Sequence, residues 1–130
     1  MMKRISALLM LGAIVLTQAQ RARAEDQNEG KKLYQTYCTG CHGVSGKGDG
    51  PAAKTLPVKP ADHTRASVMS KHTDQYLFEV ISKGGAGVSK SSQMPGWGAV
   101  LKEAQIQDVV AYIRTLSAGK KDPAHVSGVK

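Results

Sequence analysis

Cys38, Thr39, Gly40, Cys41 and His42 are the residues whose types and spacing carry chemistry in this chain. Two cysteines three apart, followed at once by a histidine, is the spacing for covalent attachment of a haem. The reason is geometric: positions i and i+3 share a helix face, so both thiols can reach the two vinyl groups along one porphyrin edge. The histidine at the next position brings an imidazole nitrogen under the iron as proximal ligand. Cys38 and Cys41 are the only cysteines among the 130 residues, so no structural disulfide competes for them. Other uses of the pair fit less well. A thioredoxin-like dithiol needs a preceding strand in a βαβ surround, and the pattern offers neither. Structural zinc needs a second ligand pair at similar spacing, which His63 and His72 do not form. A Cys38–Cys41 disulfide without cofactor leaves His42 with no task.

Met94, in Gln93-Met94-Pro95-Gly96-Trp97-Gly98, is the candidate for the distal position. A neutral thioether suits iron used for electron transfer, and His/Met ligation raises the reduction potential. Pro95 restricts Met94 to an extended backbone, and the flanking glycines let a loop approach the macrocycle closely. Trp97 is placed to pack beside the haem and donate its indole N–H to a propionate. The plain alternative for Met94 and Trp97 is ordinary core filling. Met69 lacks a glycine-rich setting and reads as packing. His63, His72 and His125 would give bis-histidine ligation, but isolated histidines in polar surroundings are usually solvated. An open distal position would require Met94 to be displaced.

The elements that must position these groups are helical. Tyr34, Tyr37, Cys38 and Cys41 fall at i, i+3, i+4 and i+7, which predicts a helix over 28–41 with Asp26 or Asn28 as N-cap. Gly30 within it costs stability relative to alanine, which fits either a close crossing by another element or tolerance near a frayed end. Gly43 to Pro51 is a loop; its glycines resemble a phosphate cradle only weakly, with no strand before and no Gly-Lys-Ser/Thr after. A short helical turn is expected at Ala52–Thr55. Leu56 to Pro60 is extended by its prolines, and a carbonyl there is placed to accept the proton on the second nitrogen of His42. Asp62 to Ser70 suggests one or two helical turns. Thr73 caps a clearer helix whose buried face is Tyr76, Leu77, Val80 and Ile81, ended by Gly84-Gly85. Ile106, Val109, Val110, Ile113 and Leu116 mark a strong amphipathic helix over 102–117, stopped near Gly119. No alternating strand pattern occurs, so the fold class is all-α: three main helices with short turns and loops wrapped around one covalent haem.

The ends of the chain read differently. Lys3 and Arg4 precede an apolar run of 12 residues, Ile5 to Leu16, and Ala22-Arg23-Ala24 offers an A-x-A cleavage pattern. Twelve residues are too few to cross a bilayer, which takes about 20. Residues 1–24 are therefore expected to be an export signal cleaved after Ala24, or alternatively after Ala19. Residues 25–119 form the domain and 120–130 a disordered tail. The signal holds Lys3, Arg4, Arg21 and Arg23 and no acid. Of 18 Lys and Arg residues, 14 then remain against 10 acidic ones, so much of the headline charge of +8 is a targeting feature. No dense basic block interleaved with aromatics occurs, and nucleic acid is not an expected partner. One Phe, one Trp and four Tyr are a thin aromatic supply for a core of this size. A rigid, mostly apolar cofactor would supply the centre.

With these residues assembled, the chain resembles a small bacterial monohaem cytochrome c of class I, over residues 27–117. The resemblance rests on Cys38-x-x-Cys41-His42, on Met94-Pro95-x-Trp97-Gly98 and on Asp108-Val109-Val110-Ala111-Tyr112-Ile113. It implies that Gly30 and Tyr34 of the first helix pack across Val109 and Tyr112 of the last. The run from Gly46 through Asp49-Gly50-Pro51-Ala52-Ala53 resembles bacterial members found both as free carriers and as modules of larger redox enzymes. The haem-to-Met loop departs from mitochondrial carriers, so no partner carries over from those. The expectation is one-electron transfer in the periplasm by a single covalent haem c, without enzyme activity of its own or a stable membrane anchor. Lys47, Lys54, Lys59, Lys83 and Lys90 would steer acidic redox partners, unless they are plain solubility charge. The rivals are a permanently bound relay subunit of an oxidoreductase complex and, third, a haem sensor or small peroxidase.

Overall fold

The computed structural model describes residues 26–120; the expected export signal at 1–24 and the tail beyond Lys120, with His125, lie outside the described residues. Residues 26–37 are helical (α1), and Gly30, Leu33 and Tyr34 on its inner face are buried. The chain turns at Cys38 and resumes as the short helix α2, Thr39–His42. The single helix expected over 28–41 is thus two. Backbone bonds from Cys38 N–H to the Tyr34 carbonyl (2.9 Å) and from His42 N–H to the Cys38 carbonyl (2.9 Å) carry the chain across the break.

A 3-10 turn at Pro51–Lys54 takes the place of the expected turn at Ala52–Thr55. Helix α3, Ala66–Met69, is one turn. Helix α4, Asp74–Lys83, begins at Thr73, whose hydroxyl accepts the Tyr76 N–H at 3.1 Å, and ends at Gly84 with φ 77°. That positive φ is one that glycine adopts without steric cost. After a second 3-10 turn at Ala86–Val88 and the methionine loop comes α5, Glu103–Ser117. Its first turn is fastened where the Gln105 side chain accepts the Lys102 N–H at 3.0 Å. Ile106, Val109, Val110 and Ile113 are buried along one stripe of α5. No strand occurs among the described residues, and the architecture is all-α.

The core joins Leu33 and Tyr34 of α1 to Met69, Leu77, Ile81, Leu101 and the α5 stripe. Two devices set its geometry. At Gly30 a Cβ would overlap the Asp108 carbonyl and lie 3.0 Å from the Tyr112 Cβ, so α1 and α5 cross backbone to backbone there. Tyr34 and Tyr112 meet edge to face beside the crossing, with centroids 5.3 Å apart. Of the two readings of Gly30, the structure selects the close crossing. The second device is Arg114 of α5. Its guanidinium donates to Asp74 Oδ1 (2.7 Å), to the Met69 carbonyl (2.7 Å) and to the His72 carbonyl, tying α5 to the α3–α4 junction.

Candidate haem site

Cys38 and Cys41 are both free and half-buried, at the junction of α1 and α2. They border an apolar cavity of about 450 Å³ whose walls come from α1, α2, α4 and the methionine loop. His42, Met94, Pro95 and Trp97 line the same cavity, so all six residues singled out from the sequence are brought together. Leu77, Val80, Ile81 and Ile113 supply hydrocarbon walls. This volume lies in the usual range for cofactor pockets.

His42 is buried and its ring is oriented. Nδ1 lies 3.1 Å from the Ala61 carbonyl. A carbonyl only accepts, so Nδ1 carries the proton and the Nε2 lone pair is left for a ligand. The accepting carbonyl lies one residue beyond the extended stretch Leu56–Pro60 in which it was expected. Burial holds the His42 ring below its usual imidazole value, and the Ala61 bond opposes this in part. Burial, with a smaller contribution from Cys41, pushes the Cys38 thiol up to about 12. Reactive dithiol motifs lower that value; the opposite direction here argues against a thioredoxin-like use. Among the described residues no three His, Cys, Asp or Glu side chains gather as a metal cluster.

Met94 is half-buried against the core and presented by a loop stitched to the end of α4. The Trp97 N–H donates to the Ile81 carbonyl (2.8 Å) and the Gly98 N–H to the Ser82 carbonyl (3.0 Å). Both are helix-end carbonyls that the helix itself leaves without a partner. In return, Gly85 N–H donates to the Met94 carbonyl at 3.0 Å. The two strips of chain touch closely enough that a Cβ at Gly84 would meet Gly96 N, the Met94 carbonyl oxygen and Pro95 C at 2.7 to 2.9 Å. This is the physical content of the glycines around Met94: backbone lies against backbone, and the Met94 main chain is held by the end of α4. The Trp97 ring sits beside Tyr37, with centroids 5.0 Å apart.

The places of His63 and His72 were not anticipated. His63, expected to be solvated, is buried: its ring stacks on His42 with centroids 4.3 Å apart and planes 18° apart. Its Nδ1 lies 3.1 Å from the hydroxyl of Tyr34, a fully buried residue. Burial and the adjacent His42 bring the His63 ring down to about 3, so it is neutral at ordinary pH. His72 is half-buried, stacks on Tyr76 with centroids 4.7 Å apart, and lines the cavity, as does the buried Met69. Among the lysines, Lys59 and Lys90 are exposed and border the cavity, whereas Lys83 pairs with Glu79 at 3.4 Å. The local sequence around His63 holds no signal for its burial, because Tyr34 and His42 reach it only through the tertiary fold.

The residues present fit a covalently held haem: two free thiols, an imidazole with a free Nε2 and a thioether all border one apolar cavity. The comparisons with known proteins agree. The family model for cytochrome c matches residues 27–117. Cytochrome c6 of Nostoc sp. is 32% identical over 114 residues, covering 86% of this chain and 92% of that protein. The cbb3-type cytochrome c oxidase subunit FixP of Bradyrhizobium diazoefficiens is 30% identical over 95 residues, and the subunit CcoP of Azospirillum sp. is 33% identical over 98 residues. In each case the match spans only 29% of the subunit's length. Among solved structures, the KustC0563 c-type cytochrome superposes with a TM-score of 0.56 at 24% identity, over 67% of this chain and 95% of that one, and shares the fold.

Proposed function

The chain belongs to the cytochrome c family, and from that premise we propose that it is an exported one-electron carrier holding one haem c. Haem-based electron transfer is the activity of the family; the finer assignments are ours. Cys38 and Cys41 would hold the group through thioethers, and His42 and Met94 would ligate its iron. When bound, the haem supplies a ferric–ferrous couple. The observation that carries the reading is the convergence of both thiols, the His42 ring and Met94 on one apolar cavity.

Each residue has a distinct task. The Ala61 carbonyl fixes the tautomer of His42 and raises the basicity of its Nε2. The end of α4 holds Met94 in place through the stitched loop, so the chain itself would rearrange little when a bound haem changes oxidation state. Apolar walls keep water from the centre and favour the less charged state. Lys59 and Lys90, exposed at the cavity rim, attract the acidic face of a redox partner. Residues 1–24 direct the chain to the periplasm, where haem attachment takes place.

A second reading follows from the likeness to FixP and CcoP: a relay held permanently within an oxidase-type complex. Purification from native membranes after gentle solubilisation separates the two, because a relay co-purifies with a large enzyme and a carrier leaves in the soluble fraction. A sensor or small peroxidase ranks third and requires Met94 to leave the iron. Redox titration of the exported protein tests the carrier reading. A single reversible one-electron wave, with haem retained on a denaturing gel and lost in Cys38→Ser/Cys41→Ser, is expected. Haem released by denaturant from the wild type would overturn it.

A further inference from the structure

His63 lies behind the proposed proximal ligand. Its ring faces the His42 ring at 4.3 Å between centroids, with the planes 18° apart, close to parallel. The segment that carries it also carries Ala61, whose carbonyl takes the His42 Nδ1 proton at 3.1 Å. One short strip of chain therefore supplies both the hydrogen bond at the edge of the His42 ring and the flat surface against its face. That strip is anchored where the His63 N–H donates to the Gly46 carbonyl at 2.7 Å. Gly46 has φ 77°, and a Cβ there would press on Leu116 at 2.7 Å and on the Tyr34 hydroxyl at 3.3 Å, so the anchor point is itself tightly enclosed.

The back of His63 is held from α1. The Tyr34 hydroxyl lies 3.1 Å from His63 Nδ1, the two rings meet at a steep angle with centroids 5.9 Å apart, and Tyr34 is fully buried. Tyr34 is braced in turn by Tyr112 beside the Gly30 crossing. The groups facing His63 are thus the His42 ring, the Tyr34 hydroxyl, the neighbouring Asp62 and the Gly46 backbone, and the ring is neutral among them. A hydrogen-bonded, buried ring cannot rotate without breaking its bond to Tyr34, and a ring stacked on it cannot rotate without leaving the stack.

Resting on the proposed His42 ligation, we propose that His63, locked by Tyr34, is a positioning residue that sets the rotational angle of the His42 ring about its bond to iron. A single hydrogen bond at the ring edge tolerates bending and limits the angle about the Nε2–iron bond only loosely; the His63 face narrows it. Ligand-plane angle governs how unpaired spin spreads over the four pyrrole quadrants in the ferric protein, so it has a direct readout in the paramagnetic proton spectrum.

The test compares the haem-methyl hyperfine shifts of the ferric, haem-loaded wild type with those of His63→Ala, His63→Phe and Tyr34→Phe. His63→Ala removes the stacked face and should change the order or spread of the four methyl shifts. His63→Phe keeps a flat face but loses the bond to Tyr34, as Tyr34→Phe does, and should give a pattern between those of the wild type and His63→Ala. Tyr34→Phe keeps the ring volume and drops the lock, and should shift the pattern in the direction of His63→Ala by a smaller amount. Should His63→Ala fail to mature, Tyr34→Phe and His63→Phe decide the matter alone, since both lose the lock and both should show a displaced pattern. A wild-type methyl pattern in Tyr34→Phe or His63→Ala, with only the unfolding temperature lowered, makes His63 mere packing and overturns the proposal while His42 ligation stands. A wild type without the paramagnetic signature of an axial histidine overturns both.

Discussion

Replacing Gly30 by alanine sets two known effects against each other. At an exposed helix position the change would stabilise, since glycine costs about 1 kcal/mol relative to alanine. Here the new Cβ would overlap the Asp108 carbonyl and press on the Tyr112 Cβ. The obstacle is backbone, which cannot swing aside as a side-chain tip can, so α1 and α5 must separate along their whole crossing. Overpacking of this kind costs about 1–3 kcal/mol, and the rigid obstacle puts this site at the upper end. Subtracting the helix gain leaves a net loss of roughly 2 kcal/mol. For a domain of this size that lowers the melting temperature by about 8–16 °C. Denaturant unfolding of the haem-loaded protein should show a lower midpoint with an unchanged slope, the sign of altered stability rather than altered unfolding. Gly30→Ala as stable as the wild type, or more so, would refute the crossing argument.

Arg114→Met should cost about 2–3 kcal/mol, because charge-assisted bonds to the Met69 and His72 carbonyls are lost. Asp74→Asn should cost under about 1 kcal/mol, its carboxylate being largely exposed; equal losses in the two midpoints would show that the ion pair, not the carbonyls, holds α5. The Asp108 carboxyl is held above the usual carboxylate range by burial and by Asp26 and Glu29 nearby. A raised acid favours the fold when protonated, so the wild type loses stability as pH rises from below the unfolded value through the raised folded one. Asp108→Asn should therefore be the more stable protein at neutral pH, with the difference closing in acid; a pH-independent gap in unfolding midpoints would contradict this. Lys59→Glu/Lys90→Glu should slow reaction with an acidic redox partner roughly tenfold at low salt, and stopped-flow rates equal to wild type at every ionic strength would remove these lysines from docking.

The helices were legible because their signals are local. The α4 start at Thr73 and end at Gly84, and the α5 stripe from Ile106 to Ile113, each depend on residues within a few turns of one another. The break at Cys38 was not legible, since the residues on both sides fit a single helical stripe. That Cys38, Cys41, His42 and Met94 meet at one cavity was legible from type and spacing. Their supports were not: His63, Tyr34 and Ala61 come to His42 from distant parts of the chain, and Arg114 reaches partners on two other elements. Such contacts exist only once the chain has closed. Gly30 lies between these cases, its presence in a helix being visible and its cause being the carbonyl of a residue in α5.

The most direct test of the central claim is the absorption spectrum of the purified, haem-loaded protein, oxidised and reduced, recorded beside that of Met94→Ala. His42/Met94 ligation predicts a covalent haem spectrum in both and a weak far-red methionine–iron band in the oxidised wild type that the variant lacks. A wild type without that band that binds carbon monoxide readily would contradict it, and a far-red band surviving in Met94→Ala would move the distal ligand to another residue.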